Sequence, residues 1–78
     1  PKNKTYYTDS GENDMQLLTS LAHEGMLKIY GNTNLLARAR VEKELKVIDE
    51  LKFSGYFLIT WDIIQYSNSM GFFMTNRN

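Results

Sequence analysis

Few side chains in this sequence are suited to chemistry. The one histidine, His23, is followed by Glu24. A helical zinc site of the His-Glu-x-x-His kind needs a second imidazole one turn on, and that position is Leu27. A lone imidazole cannot build a His-rich metal centre, and no cysteine is present to supply thiolate ligands, a thiol nucleophile or a disulfide framework. Serine-based catalysis needs a base and an orienting acid around the nucleophile, and no serine is set apart in that way. Carboxylates neighbour one another as Asp49-Glu50 and as Glu42 with Glu44. On a helix such neighbours point apart, and the interleaved lysines make them solvated surface charge rather than an acid–base pair. Asp62 stands within an apolar stretch, where a carboxylate needs a partner or a polar exit; the exposed edge of a helix supplies the exit. Met15, Met26, Met70 and Met74 form no helical stripe and read as gap fillers. The aromatic cluster reads as core rather than as a base-stacking platform. The sequence therefore assigns no catalytic and no metal-ligating residue.

Charge and length narrow the classes further. Nine basic and nine acidic residues cancel, which removes the first electrostatic sign of an autonomous nucleic-acid binder. A helix-turn-helix DNA reader is disfavoured by that balance and by the mixed charges of the second helix. With 78 residues, 42% of them hydrophobic, the chain fits one globular domain and not a disordered tail. No apolar run approaches the roughly 18–20 residues of a membrane helix, and polar Pro1–Asn13 lacks the apolar core of a secretion signal. A chain this short buries only about 60% of its unfolded surface. It is expected to lean on a partner, to self-associate, or to be part of something larger.

The elements that would position these residues are helices. Pro1–Asn13 reads as a flexible arm, with Ser10-Gly11 as a break. Asn13 and Gln16 make a capping-box pattern for a first helix running to Tyr30, with Asp14 in the first turn and Gly31 as the stop. Leu18, Leu21, Ala22, Gly25 and Ile29 share its inward face, and Gly25 suggests a close helix crossing, since it costs up to about 1 kcal/mol relative to alanine. After the Gly31–Asn34 turn, Thr33 or Asn34 caps a second helix from Leu35 to about Lys52, striped by Val41, Leu45, Ile48 and Leu51. Its surface carries the spacings Arg38–Glu42, Arg40–Glu44, Glu42–Lys46 and Lys46–Glu50. Tyr56–Tyr66 has strand-like composition, but its length, Ser54 as a cap and Gly71 as a stop favour a third helix. The face Phe57, Trp61, Ile64 should pack on the other two helices. Trp61→Ala would then cost ~3–5 kcal/mol if the indole is fully buried. Phe72-Phe73-Met74 reads as a short extended segment. The fold expected is all-α, a three-helix or at most four-helix domain over residues 14–71 between the arm and an extended tail, 72–78.

The run Val41–Gly71 resembles a specific family. Phe53, Gly55, Tyr56, Phe57, Leu58, Ile59, Trp61, Asp62, Ile64 and Tyr66 stand where the C family of bacterial replicative DNA polymerases, the DNA polymerase III alpha subunits, carries its Gly-Tyr-Phe-Leu-Ile-x-Trp-Asp string. Upstream, Leu17-Leu18, Gly25-Met26 and Tyr30-Gly31 resemble the helix that precedes it in that family. The resemblance implies a cytoplasmic replication protein that extends DNA primers from dNTPs with Mg²⁺. It implies a segment between a phosphoesterase-like (PHP) domain and the palm, with the catalytic aspartates far downstream of it. Template-primer DNA, dNTP and replisome subunits would be partners of the whole polymerase. The family has a Gly-Arg-Gly-Ser phosphate-binding turn after the position of Gly71. Here Arg77 stands at its arginine, while Asn76 and Asn78 replace its glycines. Lys52 stands where the family usually ends a helix with glycine, so either Lys52 is left-handed or the helix runs on. The alternative reading from the residues alone is a free-standing helical interaction module.

Overall fold

The computed structural model describes residues 6–69, which form three helices joined by short turns: α1 (Gly11–Tyr30), α2 (Leu35–Leu51) and α3 (Ser54–Ser69). The all-α expectation holds, with no strand among the described residues. The stretch Tyr56–Tyr66, whose composition also suits a strand, is helical throughout. The helices form a slab of 38 × 34 × 18 Å. α1 is its centre: both α2 and α3 pack on α1, and α2 and α3 make no comparable contact with each other. The expected segment Phe72–Met74, the stop at Gly71 and the tail 72–78 lie outside the described residues.

α1 begins earlier than the capping pattern suggested. The cap is Ser10, in extended conformation (φ −162°, ψ 161°), and its hydroxyl accepts the Asn13 N–H at 3.1 Å. Asn13 is thus the third residue of the helix and not its cap. Ser10-Gly11 is the helix start and not a break. The physical reason is that serine caps as well as asparagine does and stands upstream, so the helix gains most of a turn. α1 ends at Gly31, whose N–H reaches the Leu27 carbonyl at 2.9 Å. Its φ of 79° lies in the region that favours glycine. Asn34 caps α2, its side-chain oxygen accepting the Ala37 N–H at 2.9 Å. On the surface of α2, Arg40–Glu44 at 3.2 Å and Lys46–Glu50 at 3.9 Å are formed. These exposed pairs contribute a few tenths of a kcal/mol each.

The α2–α3 corner takes two residues, Lys52 and Phe53. Lys52 is left-handed (φ 62°, ψ 37°). Its N–H bonds the Asp49 carbonyl, and the Phe53 N–H bonds the Ile48 carbonyl, both at 3.1 Å. This is a Schellman closure, which satisfies the last carbonyls of α2. Lysine at such a position carries a steric cost that glycine avoids. The Phe57 N–H then bonds the Phe53 carbonyl at 3.0 Å, which makes Phe53 the residue preceding the first turn of α3. Ser54, the expected cap, is instead the buried first residue of that helix.

Among the described residues three apolar side chains are buried, one from each helix: Met26, Leu45 and Leu58. Each such burial stabilises by about 1.5–3 kcal/mol. Several expected core positions are corrected here. Ile29 is 74% exposed, and Met26, which lies outside the expected stripe, takes the interior place on α1. A helix docked on two neighbours buries different residues along its length, and the end of α1 runs past both contacts. On α3 the inward residue is Leu58, fully enclosed; Phe57, Trp61 and Ile64 are exposed, Trp61 at 38%. α3 packs mainly on α1 and only marginally on α2, so one narrow stripe faces inward and the aromatic face does not. The full-burial premise behind the large Trp61→Ala cost is not met. A methyl group added at Gly25 would meet nothing within 4 Å, so none of the described helices crosses there.

Candidate functional site

Two places concentrate specific structure. The first is the start of α1. The chain Tyr6–Ser10 folds back beside the helix, and the Asp14 carboxylate receives it. Asp14 Oδ2 accepts the Tyr7 N–H at 2.9 Å. Asp14 Oδ1 accepts the Thr8 N–H at 2.7 Å and also the Thr8 hydroxyl. The Asp14 N–H in turn bonds the Ser10 carbonyl at 3.0 Å, the first rung of the helix. Asp14 is wholly buried. Burial pushes its carboxyl up, but the hydrogen bonds from the Thr8 hydroxyl and from the Tyr7 and Thr8 N–H groups outweigh that, and the group is held below its ordinary value. The sequence placed Asp14 in the first turn for the helix dipole and missed this contact. The available signal was a threonine six residues upstream combined with Ser10, not Asn13, as the cap.

The second place is the α2–α3 corner. A groove of about 330 Å³ opens between the last turns of α2 and the start of α3. Val47, Ile48, Leu51, Phe53 and Phe57 supply its apolar lining, and Lys43 and Glu44 its charge. The Phe53 and Tyr56 rings are tilted, 6.3 Å apart, and Tyr56 meets Phe57 edge-on at 5.7 Å. Helical geometry explains the division within the Gly-Tyr-Phe-Leu-Ile string: Gly55 and Leu58, three apart, face inward, while Tyr56 and Phe57 face out. Its lining among the described residues is apolar apart from Lys43 and Glu44 and includes no histidine, serine or cysteine.

The other sequence candidates are scattered. Asp62 is exposed on α3, as expected. His23 is half-buried with its Nε2 unpartnered. The described residues contain no group of three or more His, Cys, Asp or Glu able to hold a metal ion. No helix among them is long and apolar enough to cross a membrane. Arg77, the candidate for nucleotide phosphate, lies outside the described residues.

Comparison with known proteins bears on what this unit is. Residues 16–77 match the family model described as the bacterial DNA polymerase III alpha NTPase domain. The chain is 32% identical over 66 residues to an error-prone DNA polymerase of Symbiobacterium thermophilum, covering 85% of this chain. It is 35% identical over 75 residues to a DNA polymerase III subunit alpha of Helicobacter pylori, covering 87%. With the DNA polymerase III subunit alpha of Bacillus subtilis the identity is 33% over 67 residues, covering 86%. In each case the chain spans 6% of the relative's length. No solved structure matches it. A family model matched along α1, the Schellman corner and the aromatic α3, together with relatives that align over most of its length, means that the chain belongs to the bacterial DNA polymerase III alpha family.

Proposed function

We propose that this chain is a non-catalytic support segment of a larger bacterial replicative DNA polymerase, one that extends template-primer DNA from dNTPs by Mg²⁺-assisted phosphoryl transfer in the bacterial cytoplasm. Its neighbours in this reading are the PHP and palm domains of the same polypeptide, and replisome subunits are partners of the whole enzyme. One observation carries the reading. A chain that aligns with 6% of its relatives buries three apolar side chains and leaves fourteen large ones exposed among the described residues. Surface of that kind is an interface waiting for cover. Arg77 is the one residue of this chain assigned to the nucleotide, as a charged contact for the triphosphate.

The reading is tested with template-primer, dNTPs and Mg²⁺. The isolated chain should give no primer extension, and extension by it would overturn the reading. In the full-length polymerase, Arg77→Ala should raise the KM for dNTP more than it lowers kcat. An unchanged KM removes Arg77 from the nucleotide site. A free-standing interaction module would instead be encoded by a reading frame that ends close to Asn78.

A further inference from the structure

We infer that the Asp14 carboxylate is a latch that fixes the direction from which the polypeptide enters α1, making a stiff joint where a free linker would otherwise stand. Its two oxygens take the N–H groups of two consecutive residues, Tyr7 on Oδ2 and Thr8 on Oδ1. A grip on adjacent peptide units sets orientation as well as distance. The Thr8 hydroxyl adds a third donor, and the same oxygen lies 3.5 Å from the Ser10 N–H. The Tyr6 ring completes the fold-back: a Cβ at Gly11 would stand 3.5 Å from Tyr6 Cε1, so the ring lies across the first residue of α1.

Helix-dipole stabilisation alone does not account for this arrangement. Glu12, also in the first turn, supplies that stabilisation while exposed. Burying Asp14 has a desolvation cost, and here every donor that offsets it comes from the incoming segment. Asp14 is therefore a positioning residue whose ligand is the chain's own backbone. That the joint aligns this unit with a preceding part of a polymerase rests on the function proposed above; the latch itself does not.

Amide hydrogen exchange of the chain reads the latch directly. The Tyr7 and Thr8 amides should exchange at least about 10-fold more slowly than in an unfolded chain. Asp14→Asn, which keeps the shape but only one acceptor oxygen, should remove most of that protection. Thr8→Val deletes only the hydroxyl and keeps both N–H donors. It should reduce protection by a smaller factor with the Leu45 and Leu58 amides unchanged, and it serves if Asp14→Asn does not fold. Unprotected Tyr7 and Thr8 amides in the wild-type chain, or protection that survives both substitutions, would overturn the latch. In the full-length polymerase, spin labels on Glu24 and on the domain preceding this segment should show a distance distribution that broadens with Asp14→Asn. An unchanged distribution would overturn the joint alone.

Discussion

The start of α1 and the α2–α3 corner are built on opposite plans. At the first, a wholly buried carboxylate has a donor for each oxygen, all within nine residues of chain. At the second, the backbone is closed by a Schellman motif, yet Leu51, Phe53, Tyr56 and Phe57 remain exposed. Hydrogen bonds have short range and fixed direction, so a local segment can complete them by itself. Apolar burial needs area, and a slab 18 Å thick cannot enclose both faces of its helices. One region is complete within its own segment, and the other leaves apolar side chains in solvent.

The contrast can be tested from its strongest element downward. Leu58 is the one aliphatic side chain with no exposure among the described residues, and Leu58→Ala should cost ~2–5 kcal/mol. In so small a core that approaches loss of the fold, seen as loss of helical circular dichroism at 25 °C. A cost comparable to that of an exposed leucine would show that the slab has no real core.

Asp14→Ala should cost about 1–3 kcal/mol, because it strands the Tyr7 and Thr8 donors. The pH dependence has a definite sign. The folded carboxyl titrates below its unfolded value. Its stabilisation is therefore complete above the ordinary carboxylate range and is lost as pH falls through that range toward the lowered folded value. Urea titrations from pH 7 down to acid should show this loss in the wild type and a weaker one in Asp14→Asn. Equal slopes would mean the buried carboxylate is not linked to folding.

Two substitutions should stabilise. Lys52→Gly relieves a left-handed lysine at the corner and should add about 1 kcal/mol. Gly25→Ala, with open space at the new methyl, should add roughly 0.5–1 kcal/mol in the isolated chain. If Gly25→Ala instead destabilises the full-length polymerase, a neighbouring domain approaches α1 there.

The smallest effect separates finished from unfinished surface most sharply. Leu36 is 85% exposed, and Leu36→Ser should change the stability of the isolated chain by no more than about 0.5 kcal/mol. Within the full-length polymerase the same substitution should lower the melting temperature, because the proposed neighbours cover that face. No change in either setting would leave Leu36 as ordinary surface.

Much of this architecture is legible in the sequence. Gly31 as a stop, Asn34 as a cap, the start of α2 and the left-handed alternative for Lys52 follow from chemistry within a few residues of each position. So does the helical reading of Tyr56–Tyr66, and the Gly-Tyr-Phe-Leu-Ile-x-Trp-Asp string carried the family with it. The misreadings arose where one local signal competed with another or where distance mattered. Asn13 and Ser10 both satisfy cap chemistry, and only the course of the preceding chain selects Ser10. The candidate sites divided in the same way. Asp62 could be read as exposed from its place along an apolar helix, whereas the Asp14 latch depends on a fold-back that spacing does not reveal.

Helix content, turn chemistry, neutral charge and the lack of a metal-ligand pattern were determined by sequence, because each depends on residue type and on neighbours within about one turn. Which apolar stripe faces inward was decided only by the tertiary structure. Met26 and Leu58 are core while Ile29 and the Phe57–Trp61 face are not, because burial is set by which helix lies opposite. Among the described helices only α1 packs closely on two others.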